Sequence, residues 1–277
     1  MLLRLFSLIA LVLSTIVSLA AGAFESYAWL WMLPLVALGL LVLFIAGAFG
    51  FLMILCKRVD QDVPQECDDP FYRRVTELII ESALPALRIC VRKKGMDKVP
   101  GEGRFLLVCN HTNNSDPIIL LDAFACHQLA FISKQENNDM FVIVPMMHRL
   151  QCQLLNREND REALKTIIKC IQILKEDKAS IAVFPEGGIN KDRKFHHFRP
   201  GVFKIAQKAK VPIVVCTLKN TRDVIRNMAR YKRSDVEMTL LEVIPPEQFE
   251  GMTTLEIADT VYRMMAEDLG PENVAEE

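Results

Sequence analysis

His111 and Asp116 stand five residues apart in the stretch Asn110-His111-Thr112-Asn113-Asn114-Ser115-Asp116-Pro117. A histidine is a good general base near neutral pH, and a carboxylate within reach fixes its tautomer and offsets the charge it acquires. No Ser or Cys on this stretch is obviously placed as a nucleophile, so the proton to be taken belongs to a substrate hydroxyl. A plainer reading uses the same residues. Asp116 followed by Pro117 is what a helix start looks like, an N-cap and then proline in the first turn. Two further polar stretches favour chemistry. Asn156-Arg157 follows Cys152-Gln153-Leu154-Leu155, and Pro185-Glu186-Gly187-Gly188 follows the apolar run from Ala179 to Phe184. Arg157 suits a phosphate through a two-pronged, charge-assisted contact. Glu186 sets a carboxylate at a strand end, beside backbone that glycines leave open to a ligand.

The elements that must position these residues alternate. Strand patterns cover Phe105–Cys109, Leu129–Ser133, Cys152–Leu155, Ala179–Phe184, Val211–Thr217 and Val236–Val243. Helix patterns cover Pro117–Cys126, Asn138–Arg149, Asp160–Glu176, Gly201–Lys210, Arg222–Arg230 and Thr254–Leu269. Asn159 with Glu162, and Thr253 with Glu256, have capping-box spacing. Alternation predicts an α/β fold with a largely parallel sheet flanked by helices and its chemistry at strand ends.

Ahead of this domain lie two apolar stretches, at about 2–22 and 29–56, each long enough to span a bilayer. Arg4 precedes the first and Lys57-Arg58 follow the second, while the connector has no Lys or Arg. The positive-inside rule places both ends in the cytoplasm, making the chain an integral protein of the cytoplasmic membrane with its catalytic domain inside. A cleaved signal peptide ending near Ala21-Gly22-Ala23 is the competing reading of the first span. Ala10, Ser14, Ser18 and Gly22 recur every four residues, and Gly39, Ala46 and Gly50 mark the second span, which predicts a tight hairpin. From Phe71 to Lys94 the apolar residues fall at helical spacing, with Arg73, Arg74, Glu77 and Glu81 among those on the other face and Pro85 as a kink. This helix either lies on the membrane surface or packs on the soluble domain. The chain thus divides into a hairpin over 1–56, a linker and amphipathic interfacial helix over 57–98, and a catalytic domain over 99–277.

Composition narrows the partners. A net charge of −1 over 277 residues argues against nucleic acid. Eight scattered cysteines without a C-x-x-C pair read as reduced thiols. The His196-His197 doublet shows no acidic or cysteine partner at metal spacing, and neither a metal nor a bound cofactor is expected.

In order, Asn110-His111 with Asp116, Asn156-Arg157, Phe184-Pro185-Glu186-Gly187 and Val211-Pro212-Ile213 resemble the four motifs of the phospholipid/glycerol acyltransferase family. The likeness covers roughly Val99 to Pro245 and is greatest to the bacterial 1-acyl-sn-glycerol-3-phosphate acyltransferases. It implies that His111 is the general base and Asp116 orients it. Arg157, Glu186 and Gly187 would position the glycerol phosphate, with Lys134 and Arg199 as further phosphate contacts. The implied reaction moves a fatty acyl group from acyl-CoA or acyl-carrier protein to the 2-hydroxyl of a lysophospholipid acceptor, 1-acyl-glycerol 3-phosphate, giving phosphatidic acid in phospholipid synthesis, with membrane lipid as a further partner. The chain departs from the family pattern at Gly188-Ile189, where Thr-Arg is frequent, at Asn113, where Ser is frequent, and at Gln151, where Gly is frequent. Another hydroxyl-bearing lysolipid, or glycerol 3-phosphate, is the alternative acceptor. A membrane-bound hydrolase and a non-catalytic scaffold are the readings from other classes.

Overall fold

The computed structural model describes residues 2–61, 63, 65–134, 141–156 and 159–275, apart from the side chains of residues 134 and 160. Nine helices are described: α1 (Leu2–Ala20), α2 (Trp29–Lys57), α3 (Pro70–Ala86), α4 (Asp116–Ala123), α5 (Ile143–Arg149), α6 (Asp160–Lys175), α7 (Lys204–Ala209), α8 (Val224–Ala229) and α9 (Thr254–Leu269). The strands are β1 (Ile89–Lys94), β2 (Leu106–Val108), β3 (Leu129–Lys134), β4 (Gln153–Leu155), β5 (Ser180–Val183), β6 (Ile213–Lys219) and β7 (Ser234–Ile244).

They form one sheet in the order β1-β7-β6-β2-β5-β3-β4. Every neighbouring pair is parallel except β6 with β7. Both faces are covered, which is why the central strands read as unbroken apolar runs. Leu106 and Val108 face a core shared with α6, α7 and α9. Phe105, Leu107 and Cys109 face the other core, with α3, α4 and α8. Parallel neighbours put the C-terminal ends of β2, β5, β3, β4 and β6 on one edge of the sheet, and the polar loops leave from there.

The sequence pattern misplaces one strand. Helical spacing carries on to Lys94, yet α3 stops at Ala86, one residue beyond Pro85. Arg88 turns the chain at φ 58°, and Ile89–Lys94 then pairs with Ser234–Thr239 of β7. Arg92, Lys93 and Lys94 make this a charged sheet edge, which discourages pairing with a second chain. The choice left open for α3 also resolves. Ile80 and Leu84 are buried in the core. Arg73, expected on the outer polar face, is buried, donates from Nε and Nη2 to Asp68 at 3.0 and 2.6 Å, and reaches the Leu129 carbonyl at 3.0 Å. Of the two caps, Thr253/Glu256 is a complete capping box, whereas Asn159 caps α6 alone and Glu162 accepts from Asn156 instead. The predicted helix start at Asn138 lies outside the described residues. All eight cysteines are free thiols.

α1 and α2 are long and apolar enough to cross a membrane. They pack as a hairpin about the small residues of α1: Ala10, Ser14 and Ser18 are buried, and Ser14 Oγ donates to the Leu33 carbonyl at 2.6 Å. The small residues of α2 do not share this seam. A Cβ at Gly39 or Gly50 would meet no atom within 4 Å, and Ala46 is exposed. The hairpin joins the domain at its base, where Leu2 N donates to Ser82 Oγ at 3.1 Å and Tyr72 Oη donates to the Leu55 carbonyl at 3.2 Å. Replacing Ser14 by Leu inserts volume into a closed seam, so thermal unfolding in detergent is expected to show about 1–3 kcal/mol of destabilisation. Gly50→Leu, pointing into open space, serves as the control and is expected to unfold like the wild type.

Candidate functional site

The site is built where β2 runs out. Its last ladder bond is Cys109 N to the Val183 carbonyl at 3.2 Å. Asn110 then extends the pairing by side chain: its Oδ1 accepts from Leu218 N at 2.7 Å and its Nδ2 donates to the Leu218 carbonyl at 2.9 Å. A buried amide replaces one residue of strand, and the chain is released for a loop beginning at His111. Sequence reasoning included Asn110 in the motif without seeing this role.

His111 and Asp116 come together as expected. Nδ1 of the ring lies 3.0 Å from Asp116 Oδ2. The same oxygen accepts from Thr112 N and Asn113 N, both at 2.8 Å. Two backbone N–H donors make Oδ2 an acceptor, so the ring nitrogen that faces it is the protonated one. Among the described residues Nε2 has no hydrogen-bond partner, so its lone pair is the ring's free base. The ring is held flat against Phe184, with centroids 4.1 Å apart and 17° between planes, and its side chain is 15% exposed. The N-cap of α4 is Ser115, and Asp116 is its first helical residue. The carboxylate thus points back into the loop instead of capping the helix, which corrects the plainer reading of Asp116-Pro117. Its other oxygen, Oδ1, is buried without a partner among the described residues.

Glu186 takes an unexpected position. It is 8% exposed, and both its oxygens are used by the chain. Oε1 accepts from His111 N at 2.8 Å; Oε2 accepts from Asn190 Nδ2 at 3.0 Å and from His196 N at 3.1 Å. It joins the His111 loop to the loop after β5. Gly187 follows at φ 86°, donating to the Phe184 carbonyl at 3.0 Å, a conformation that glycine adopts without strain. The turn therefore needs Gly187 for its backbone shape.

Burial raises the Glu186 carboxyl from its ordinary 4.5 to about 7, against the opposing pull of the His111 and His196 amides. A folded value above the unfolded one means that the folded chain holds this proton more tightly. Its stabilisation is full below pH 4.5 and is lost as pH rises through about 7, a difference of about 3 kcal/mol. Melting of the wild type is expected to weaken over that interval. Glu186→Gln should flatten this component of the profile and should also lower turnover about ten-fold or more, because one amide cannot accept from both sides. A profile of equal slope in the variant would show that Glu186 does not titrate there.

Arg199 is exposed and is placed by its backbone, N donating to the Pro185 carbonyl at 2.9 Å. Lys134 ends β3 opposite Leu155, and Arg157 lies outside the described residues. His196 does have an acidic partner that the sequence reading missed: Nε2 lies 2.9 Å from Asp192 Oδ2 on an exposed loop.

A family model described as Acyltransferase matches residues 90–219, from β1 to the end of β6. Among curated relatives, a probable 1-acyl-sn-glycerol-3-phosphate acyltransferase of Mycoplasma pneumoniae is 29% identical over 174 residues, covering 58% of this chain and 65% of that protein. The 1-acyl-sn-glycerol-3-phosphate acyltransferase of Borreliella burgdorferi is 28% identical over 129 residues, covering 47% and 51%. The chain thus spans less than two thirds of the length of either relative. The crystal structure of the 1-acyl-sn-glycerophosphate (LPA) acyltransferase PlsC from Thermotoga maritima superposes with a TM-score of 0.62 at 22% identity, covering 81% of this chain and 90% of that one, so the two share a fold. The likeness to the acyltransferase family thus rests on the domain at residues 90–219, 130 of the 277 residues.

Proposed function

We propose that the chain transfers a fatty acyl group from a thioester, acyl-CoA or acyl-carrier protein, to the 2-hydroxyl of 1-acyl-glycerol 3-phosphate, giving phosphatidic acid. The observation that carries this reading is the His111–Asp116 pair at 3.0 Å, with Nε2 left as the free ring nitrogen. Nε2 takes the hydroxyl proton, the alkoxide oxygen attacks the thioester carbonyl, and the new C–O bond replaces the C–S bond. The departing thiolate takes the proton back from the imidazolium. Asp116 keeps Nδ1 protonated and offsets the charge on the ring while it lasts. The names of the similar proteins support the acceptor, and the resemblance supports Lys134, Arg157 and Arg199 as contacts to its phosphate. Glu186 and Gly187 act in this reading by holding the His111 loop. The apolar hairpin supports membrane anchoring, with the catalytic loops on the cytoplasmic side of the cytoplasmic membrane.

The reading is tested with purified full-length chain, lysophosphatidic acid, a neutral monoacylglycerol and glycerol 3-phosphate as acceptors, and both donor types. Lysophosphatidic acid should be the preferred acceptor by kcat/KM. Preference for the neutral lipid would overturn the acceptor assignment while leaving the chemistry of His111 in place.

A further inference from the structure

The two flanks of His111 are built differently. β5, β3 and β4 lie on one side of β2, and β6 lies on the other. On the β6 side a cavity of about 440 Å³ opens directly beside the His111 loop, a volume in the range of small-ligand sites. Thr112 and Asn113 form one wall. Arg193, from the loop after β5, and Arg222 and Arg226, from the segment after β6, line the others. Among the described residues one carboxylate lines it: Asp223, 3.2 Å from Arg226. Among the described residues no acidic side chain pairs with Arg193 or Arg222. Ile189 and Ile225 add an apolar surface on the same cavity.

The cavity is fastened to the base, not loosely beside it. Thr112 Oγ1 and Thr221 Oγ1 are 2.6 Å apart. The Arg222 carbonyl accepts from Asn113 Nδ2 at 3.0 Å and from Arg193 Nη1 at 2.6 Å. Asn190, three residues before Arg193, donates to the same Glu186 carboxylate that holds His111. Hydrogen bonds therefore join the walls to the reacting loop. Guanidinium forks are suited to a phosphate, and a site of net positive charge beside the base is suited to a phosphorylated substrate.

Resting on the acyl-transfer reading, we infer that this cavity binds a substrate phosphate group through Arg222 and Arg226, with Arg193 holding the wall and adding charge. Both substrates carry such a group, the acceptor on its glycerol and the donor on its pantetheine carrier. β3, which ends at Lys134, is separated from β6 by β5 and β2.

The test compares Arg222→Gln/Arg226→Gln with wild type, using Arg230→Gln, outside the cavity, as control. Both changes leave the Arg222 carbonyl and its two hydrogen bonds in place. If the cavity takes the acceptor phosphate, KM for lysophosphatidic acid rises about ten-fold or more, KM for monoacylglycerol does not change, and kcat is nearly kept. If it takes the donor phosphate, KM rises by a similar factor for acyl-CoA and is unchanged for the acyl thioester of N-acetylcysteamine. Either result supports the site. Unchanged KM for both phosphorylated substrates, or equal losses with their neutral counterparts, overturns it. A second measurement does not need turnover. Glycerol 3-phosphate or adenosine 3′,5′-bisphosphate should raise the melting temperature of the wild type and of Arg230→Gln, but not of the double variant. If these probes shift all three proteins alike, or none, the cavity is not a phosphate site, even where the transfer reaction itself is observed. If the probes behave as expected and no acyl transfer is found, the site stands and the reading of the reaction falls.

Discussion

His111→Ala is expected to lower turnover by about 10²–10⁴-fold, the usual contribution of a positioned general base. The fold should survive it. The backbone N–H of residue 111 still donates to Glu186, and Asp116 still accepts from Thr112 N and Asn113 N. What is lost is the stacked contact with Phe184, worth about 1 kcal/mol, and the Nδ1–H donation to Asp116, worth about 1–3 kcal/mol, which lowers the melting temperature without unfolding the chain. Steady-state kinetics beside a melting curve separate the two effects. Near-wild-type turnover in a well-folded variant would remove His111 from the mechanism.

Asp116→Asn is expected to be about as damaging to turnover, for a different reason. If the amide oxygen takes the place of Oδ2, its NH2 is forced into the position of Oδ1, which is buried and faces no acceptor among the described residues. If the amide is reversed, its N–H groups confront three donors. The first arrangement buries an unpaired NH2 and removes the negative charge that offsets the imidazolium; the second also leaves the tautomer of His111 unspecified, so a loss of about 10²–10⁴-fold in kcat is expected with about 1–3 kcal/mol of stability. A variant that melts lower but turns over normally would show that the carboxylate only organises the loop.

The His111–Asp116 pair was legible because two properties coincide in the sequence. β2 is buried on both faces, so its apolar run stops abruptly at Asn110-His111, and the pair is local in sequence. The central strands were legible for the same reason. β1 was not, because Leu87, Cys90 and Val91 satisfy a helical period as well as an extended one, and the arbiter is pairing with β7, more than a hundred residues away. Arg73 was read as a surface charge because its partner Asp68 lies in a linker whose path no local pattern fixes. The seam of the hairpin was half legible: small residues face inward on α1, while in α2 they recur at similar spacing and face outward. The arginine-lined cavity was invisible in sequence because its walls come from three loops that meet only when β6 is placed beside β2. Glu186 illustrates a further limit. Its place at a strand end was evident, but only the structure shows that both oxygens are spent on the chain's own amides.

The most direct measurement follows both products of the proposed reaction in one assay of the purified full-length chain, with lysophosphatidic acid and an acyl thioester. Phosphatidic acid, by mass spectrometry, and free thiol should appear in equal amounts, and both should fall together in His111→Ala. Thiol release without phosphatidic acid, or equal product from wild type and His111→Ala, would contradict transfer to a hydroxyl activated by this histidine.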